Sequence, residues 1–139
     1  MTLPINYNSA DLLSDFEVVL QIPKNEKLSD IKYRLLTISE KPILFGATHP
    51  QGGCKGKNLE TVYTQDIKLV GIMGDVWVDC SGRSKINAKI YINDPDIEAL
   101  IKQAKVLISY AYWRDPLSCL SSSFDFDHLL IYPRKGVCK

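Results

Sequence analysis

Hydrophobic residues at every second position, or in short unbroken runs, predict strands in four parts of the chain. The stretch FEVVLQI, residues 16–22, has the period of two, and Pro23 follows it directly. The same period recurs in INAKIYI, residues 86–92, while PILFGA, residues 42–47, and FDHLLIY, residues 126–132, are short apolar runs. Both patterns are typical of strands that bury one or two faces. We therefore expect a strand in each of these four places.

The region before residues 86–92 predicts further strands that pair with it. IKLVGIMGDVWVDC, residues 67–80, contains two strand-like runs that are broken around Gly71 and Gly74. SGRSK follows as a turn. Short apolar runs that are joined by glycine-containing turns are characteristic of hairpins. The whole region from residue 67 to residue 92 is thus expected to form an antiparallel meander.

Two stretches have hydrophobic residues at three- and four-residue spacing and predict helices. The first is KNEKLSDIKYRLLTIS, residues 24–39, whose hydrophobic positions are Leu28, Ile31, Leu35 and Ile38. The second spans residues 93–113, where Asp94 suits the N-cap and Pro95 suits the first helical position. Its hydrophobic stripe comprises Ile97, Leu100, Ile101, Ala104, Ile108 and Ala111. One helix is expected to cover each stretch.

The order of these elements predicts an α+β fold. We expect a mainly antiparallel sheet of about five to six strands with two helices packed on it. At 139 residues the chain has the size of a single domain. The expectation is one globular domain over residues 1–139, with a flexible N-terminal segment at residues 1–14 and a mobile loop at residues 48–60.

The charge of the chain is nearly balanced, because 17 lysine and arginine residues face 16 acidic residues and the net charge is +1. Proteins that bind nucleic acid through their overall charge have a clear basic excess, so we expect no sequence-specific nucleic-acid binding. The charge is uneven along the chain, since residues 24–57 hold seven basic and three acidic side chains, a net charge of +4. Such blocks are either solvated faces or surfaces that meet anions or oppositely charged partners.

The sequence has no signature of a secreted, membrane-spanning or metal-binding protein. The N-terminus lacks the basic and apolar regions of a signal peptide, and no run approaches the roughly 20 apolar residues that span a bilayer. The cysteines, at positions 54, 80, 119 and 138, form no CxxC pair, and the two histidines are distant in sequence. We expect an intracellular protein with reduced thiols, no metal and no cofactor.

The glycine-rich stretch HPQGGCKGKN, residues 49–58, is the candidate loop for chemistry or recognition. A phosphate-binding P-loop would need glycine where Gln51 stands and a hydroxyl where Asn58 stands, so we reject that function. Cys54 lies near two lysines that would lower the pKa of its thiol. A nucleophile also needs a fixed base, and His49 lies in the same glycine-rich loop. An exposed bystander thiol is favoured over a thiol enzyme.

Asp125, Asp127 and His128 resemble part of an acid–base set. Strand alternation places the two aspartates on one face of the last strand and the histidine on the other, which favours an edge strand with a polar face. Trp77, Tyr112 and Trp113 are interpreted as core or interface residues rather than as platforms for stacking bases. We therefore predict no catalytic residue, and the protein is expected not to be an enzyme.

The order of elements resembles that of rhabdovirus-type viral matrix proteins, in which a strand, a helix, a short strand and a mobile loop precede a sheet, a long helix and a closing strand. FEVVLQI, which leads into LSDIKYRLLTI, resembles the first strand and helix. KPILFGA resembles the strand before the loop, and KINAKIYINDPDIEAL resembles the alternating strand that runs into the second helix. The similarity covers residues 16–130.

This resemblance implies a non-enzymatic structural protein that self-assembles and links ribonucleoprotein to a membrane, in the host cytoplasm and at the periphery of the virion. The residues implied to bind an anionic membrane or partner are Lys24, Lys27, Lys32, Arg34, Lys41, Lys55 and Lys57. The residues implied to form a self-association loop are His49, Pro50, Gln51, Gly52, Gly53 and Cys54. The alternative is a small intracellular binding or inhibitor protein, similar to an immunity protein, that acts through one charged face.

Overall fold

A computed structural model describes residues 5–7, 10–13, 16–21, 38–50, 67–78, 85–113 and 125–134. These ranges contain eight strands and one helix. The strands are β1 (Ile5–Tyr7), β2 (Ala10–Leu13), β3 (Glu17–Gln21), β4 (Pro42–Gly46), β5 (Ile67–Val78), β6 (Lys85–Ile92), β7 (Val106–Trp113) and β8 (Asp125–Pro133). The helix, α1, is Pro95–Lys102. No helix within the described ranges is long and apolar enough to cross a bilayer.

All eight strands belong to one curled sheet. Their order is β1-β7-β8-β4-β5-β6-β3-β2, and every neighbouring pair is antiparallel except β4 and β8, which are parallel. β1 and β2 lie at opposite ends of this order, yet the chain has two residues between Tyr7 and Ala10. Because each residue spans at most about 3.6 Å, the two ends of the sheet lie within roughly 11 Å of each other. The sheet must therefore curl, and β2 accordingly comes into contact with β7.

The expected α+β fold is wrong. The described part of the chain is mostly strand, with a single helix and a mixed sheet, in place of two helices on a mainly antiparallel sheet. The main error concerns residues 106–113, which were expected to continue a helix but form β7. Their sequence, VLISYAYW, is rich in β-branched and aromatic residues and is buried on both faces over most of its length. A strand of this kind is continuously apolar and so mimics helical spacing.

The other predicted helix, residues 24–39, lies outside the described residues except at its last two positions. Those positions, Ile38 and Ser39, belong to a turn that leads into β4. Lys41 continues that turn, since its backbone N–H donates to the Ile38 carbonyl and its carbonyl accepts from Met73. The segment is thereby joined to β5.

The predicted start of α1 is confirmed. One carboxylate oxygen of Asp94 accepts hydrogen bonds from the backbone N–H groups of Asp96, at 3.0 Å, and Ile97, at 3.3 Å. Pro95 occupies the first turn, where its missing N–H is not needed. A second contact fixes the same cap, because Lys68 on β5 forms a 2.8 Å salt bridge with Asp94. The hydrogen bond from Lys68 and the helix N–H groups hold the pKa of the Asp94 carboxyl below its ordinary value.

The helix ends much earlier than predicted, at Lys102. Ala104 adopts a positive φ of 55°, the left-handed conformation that closes many helices. Its N–H donates to the Ile101 carbonyl, and the next N–H, of Lys105, donates to the Leu100 carbonyl. This pair of bonds is the Schellman motif. It turns the chain out of the helix and directly into β7.

The four predicted strands at residues 16–22, 42–47, 86–92 and 126–132 are confirmed as β3, β4, β6 and β8. β5 and β6 pair in antiparallel fashion as expected, but the predicted interruption around Gly71 and Gly74 is wrong, because Ile67–Val78 is one strand.

Close packing explains the glycines of β5. A Cβ atom on Gly71 would lie 2.1 Å from the Tyr91 carbonyl oxygen, so the neighbouring backbone leaves no room for a side chain. A Cβ atom on Gly74 would lie 2.3 Å from the ring of Tyr91. The pairing with β6 shifts register between Met73 and Val76, yet the strand continues. These glycines are therefore positions where β6 approaches β5 closely, and they are not turn positions.

The main core lies on one face of the curled sheet. Tyr110, at its centre, is 1% exposed; its ring stacks on that of Phe126 with 5.6 Å between centroids, and its hydroxyl donates to the Gln21 carbonyl. The fully buried residues with the largest side chains are Tyr110, Phe126, Leu20, Ile38, Ile43, Leu44, Met73, Ile86, Leu129 and Leu130. A smaller cluster, Leu44, Ile67 and Leu130, lies apart from the main core.

Candidate functional site

A bulge in β8 creates the polar centre of the molecule. Ala111 pairs with His128, but the next pair along is Tyr112 with Phe126, so Asp127 is an extra residue in β8. A bulge of this kind redirects side chains and breaks strict alternation. As a result Asp127 and His128 contact each other, although they are consecutive. The predicted opposite orientation is wrong, and so is the predicted edge strand, because β8 lies between β7 and β4.

Five side chains form a continuous hydrogen-bonded row, which we call the relay. Trp113 Nε1 donates to Asp127 Oδ1 at 2.7 Å, and Asp127 Oδ2 lies 2.6 Å from His128 Nδ1. His128 Nε2 lies 2.7 Å from His49 Nδ1, and His49 Nε2 lies 2.5 Å from Ser109 Oγ. The relay therefore joins β7, β8 and the segment that follows β4.

When both histidines are neutral, one arrangement of protons satisfies every contact in the relay. The Asp127 carboxylate accepts, so the hydrogen of a neutral His128 is on Nδ1 and its Nε2 must accept. His49 then donates from Nδ1, and its Nε2 accepts the hydroxyl hydrogen of Ser109. The three bonds between Ser109 and Asp127 thus all donate in the direction of Asp127, which also accepts from Trp113 on its other side. Both histidines are neutral in this arrangement and both carry the hydrogen on Nδ1.

The relay is largely shielded from water. His128 is 0% exposed, Ser109 1% and Asp127 3%, while His49 is half-buried. Burial and the neighbouring His128 lower the pKa of His49 from 6.5 to about 4, against the opposing effect of the Asp127 charge. His49 is therefore neutral at pH 7.

The relay has the polarity of a base that could take a proton from Ser109, as in serine hydrolases. Ser109, however, is 1% exposed in the middle of a strand with neighbours on both sides, β1 and β8. A substrate carbonyl cannot reach that hydroxyl in this conformation. The arrangement therefore acts as an internal tie, in which His49 fastens residues 47–50 to β7 and β8.

The structure describes three of the site residues implied by the resemblance. His49 belongs to the relay, Pro50 is buried, and Lys41 is partly buried. The other members of the implied self-association loop, Gln51, Gly52, Gly53 and Cys54, lie outside the described residues. So do the remaining basic candidates, Lys24, Lys27, Lys32, Arg34, Lys55 and Lys57.

A second candidate site is the outward face of the β5–β6 hairpin, which we call the hairpin face. It carries Ile72, Trp77 and Tyr91, which are 46%, 37% and 54% exposed. Ile72 pairs directly with Tyr91, and the Tyr91 ring lies against Gly74. Sequence reasoning treated Trp77 as a core or interface aromatic but missed Ile72 and Tyr91. The available signal was that hydrophobic residues occupied both faces of these strands.

A hollow adjoins the hairpin face on the side of Tyr91. It carries two carboxylates and one amine, and it is lined by Phe16, Glu17, Lys89, Ile90, Tyr91, Ile92 and Glu98. Glu17 lies directly opposite Lys89 across β3 and β6. Acidic groups beside an exposed apolar surface favour partners that present basic side chains.

Neither candidate site has the ligands of a metal centre: across the residues that the structure describes, no three histidine, cysteine, aspartate or glutamate side chains are grouped to hold an ion. Comparisons with protein-family models, curated proteins and solved structures find no match to this chain.

Proposed function

We propose that this chain is a non-enzymatic structural protein of the viral matrix type, whose copies associate through the hairpin face. The observation that carries the proposal is the exposure of three large side chains, Ile72, Trp77 and Tyr91, on two paired strands, with Ile72 directly opposite Tyr91. Tryptophan and tyrosine are the residues that most often dominate binding energy at protein interfaces. Covering them also removes apolar surface from water.

The proposed occupant of this face is a second copy of the same chain. The hollow beside Tyr91 presents Glu17 and Glu98, and residues 24–57 of the chain carry a net charge of +4. The carboxylates of this hollow and the basic segment of the next copy are opposite in charge, and the complementarity is partial because Lys89 lies opposite Glu17 and Lys102 forms a 3.0 Å salt bridge with Glu98 in the same copy. Two different surfaces then meet at each contact, and such head-to-tail contacts build open assemblies rather than closed dimers.

Pairing of sheet edges is a less favourable route to assembly. The end strands, β1 and β2, contain three and four residues, and the curl of the sheet brings them together. Short and mutually close end strands leave little backbone for another chain to extend. Contact through a face of the sheet is therefore favoured over pairing of its edges.

We expect the protein to form oligomers at low salt that dissociate as salt rises, because the charge contribution is screened while the apolar contribution remains. Sedimentation velocity measures this directly. Trp77→Ser combined with Tyr91→Ser should weaken association by about 30-fold or more for each side chain, which corresponds to roughly 2 kcal/mol apiece.

Leu107→Ser is the matched control, since Leu107 is 40% exposed but lies on β7, away from the hairpin in the order of the sheet. It should leave association unchanged. A wild-type protein that is monomeric at every salt concentration contradicts self-assembly. A monomer that instead pulls down one tight protein partner supports the alternative, a small binding or inhibitor protein.

The proposed matrix-type role extends to an anionic membrane and to ribonucleoprotein. This extension rests on the resemblance in element order and on the basic residues of the segment 24–57. Each basic residue near an anionic surface contributes about 1 kcal/mol, so several together hold a peripheral protein reversibly. Flotation with vesicles that contain phosphatidylserine should recover the protein at low salt and lose it at high salt. Equal recovery with neutral vesicles contradicts the membrane role.

A further inference from the structure

The His49 side chain ties residues 47–50 to the sheet with both of its ring nitrogens. These residues leave the end of β4, with Ala47 and Thr48 exposed and Pro50 buried. Between them, His49 reaches His128 on β8 with Nδ1 and Ser109 on β7 with Nε2. The two imidazole rings lie 4.9 Å apart between centroids, at an angle of 54°. This contact fixes the point from which the glycine-rich stretch continues.

We propose that His49 and His128 form a proton-operated latch, in which proton uptake by the pair releases residues 47–50 from β7 and β8. The latch is a property of this chain that does not depend on self-assembly. Its closed state is the relay with both histidines neutral.

The count of hydrogens explains why protons open the latch. In the closed state each contact has one donor and one acceptor. A first added proton is accommodated without loss of a contact: a protonated His128 donates to Asp127 and to His49 Nδ1, and His49 Nε2–H donates to the hydroxyl oxygen of Ser109, which is 1% exposed. A second added proton places the N–H of His128 Nε2 against the N–H of His49 Nδ1, across a distance of 2.7 Å. Two donors that face each other without an acceptor repel.

Some of the charged and titratable groups around His49 raise its pKa and others lower it. His128 and Asp127 face it from β8, and Asp127 favours a protonated His49. The residues that β7 contributes, Ser109 and Trp113, carry no charge. At the Ala47 end, a hollow is lined by Ala47, Leu107, Tyr132, Pro133 and Arg134, and the arginine adds a positive charge on that side. Burial and His128 outweigh Asp127, so the pKa of His49 falls to about 4.

The direction of the pH dependence follows from this lowered pKa. A released His49 has its ordinary pKa of 6.5, whereas the latched residue has a pKa of about 4. The released state therefore binds more protons between these values, and acid favours it. The latch is fully effective above pH 6.5, weakens progressively as the pH falls, and loses this contribution as the pH reaches about 4.

The first test is the protonation state of the two imidazoles in the full-length protein. The chain contains two histidines, so nitrogen-detected NMR of a ¹⁵N-histidine sample shows two rings without overlap. We expect both rings to carry hydrogen on Nδ1 at pH 7.5, although free histidine favours Nε2. We also expect one ring to titrate near pH 4. Two rings with hydrogen on Nε2, or a normal titration near 6.5 for both, overturn the latch.

The second test follows the motion of residues 47–49 by ¹⁵N relaxation between pH 7.5 and pH 3.5. Their heteronuclear NOE should fall with the His49 titration while the amide signals of β7 and β8 stay folded. His49→Gln should remove this step, and Ser109→Ala should move its midpoint towards 6.5 because the latched state loses a bond. Residues 47–49 that stay rigid across the range, or that change only when the whole sheet unfolds, overturn the proposal.

Discussion

His128→Ala is expected to destabilise the fold by about 3–5 kcal/mol, the loss typical of a buried charge that is left without its partner. The His128 side chain is 0% exposed, and its Nδ1–H meets the Asp127 carboxylate, which is itself 3% exposed. The substitution removes that donor from a buried charge, removes the acceptor for His49, and leaves a cavity. Urea unfolding monitored by circular dichroism gives the change in free energy.

A second substitution distinguishes the stability lost through the unpaired charge from the stability lost through the cavity. Adding Asp127→Asn to His128→Ala removes the buried charge, so the double variant should recover part of the stability that the single variant loses. The cavity remains in both variants, so the stability that is lost because of it is not regained. A loss below about 1 kcal/mol for His128→Ala would instead match the value of a solvent-screened pair, which is incompatible with a buried relay.

Gly71→Ala is expected to cost about 3 kcal/mol, at the upper end of the usual range for overpacking. The added Cβ atom would lie 2.1 Å from the carbonyl oxygen of Tyr91 and 3.1 Å from the Cα of Ile92. Both are backbone atoms of β6, so the strands themselves must separate. Differential scanning calorimetry or denaturant unfolding measures the loss.

Gly74→Ala is the matched control in the same strand. There the added atom would meet the ring of Tyr91, a side chain that is 54% exposed and can rotate away. The cost should be about 1 kcal/mol, at the low end of the overpacking range. Equal losses for the two variants would contradict the tight backbone approach of β5 and β6 at Gly71.

Sequence periodicity predicted the strands that have one clear interior face. β3 and β6 alternate: Val18 and Leu20 of β3 and Ile86, Ala88 and Ile90 of β6 are buried in the core, and the residues between them are at least partly exposed. The prediction for the residues of β7 was wrong because six of its eight residues are buried, and a continuous apolar run fits both the strand period and the helix period. Local composition favoured a strand there, but the capped start of α1 led the helix prediction too far along the chain.

The relay could not be predicted from spacing, because its members are brought together only by the sheet. His49 and His128 are 79 positions apart, and His49 and Ser109 are 60 apart. The bulge in β8 also reversed the side-chain direction that alternation assigned to Asp127. The acid–base character of Asp127 and His128 was visible in the sequence, whereas the partner histidine and the serine were not. The hairpin face was missed for a different reason, since exposure of Ile72 and Tyr91 depends on what the fold leaves uncovered.

Hydroxyl-radical footprinting at low salt tests the proposed assembly most directly, because it reports the solvent access of individual side chains. Trp77 and Tyr91 should oxidise more slowly in a concentrated, associated sample than in a dilute one, and high salt should abolish the difference. Leu107 should react equally in both samples. Equal oxidation of Trp77 and Tyr91 in associated and dissociated protein would contradict the hairpin face as the surface through which copies of this chain associate.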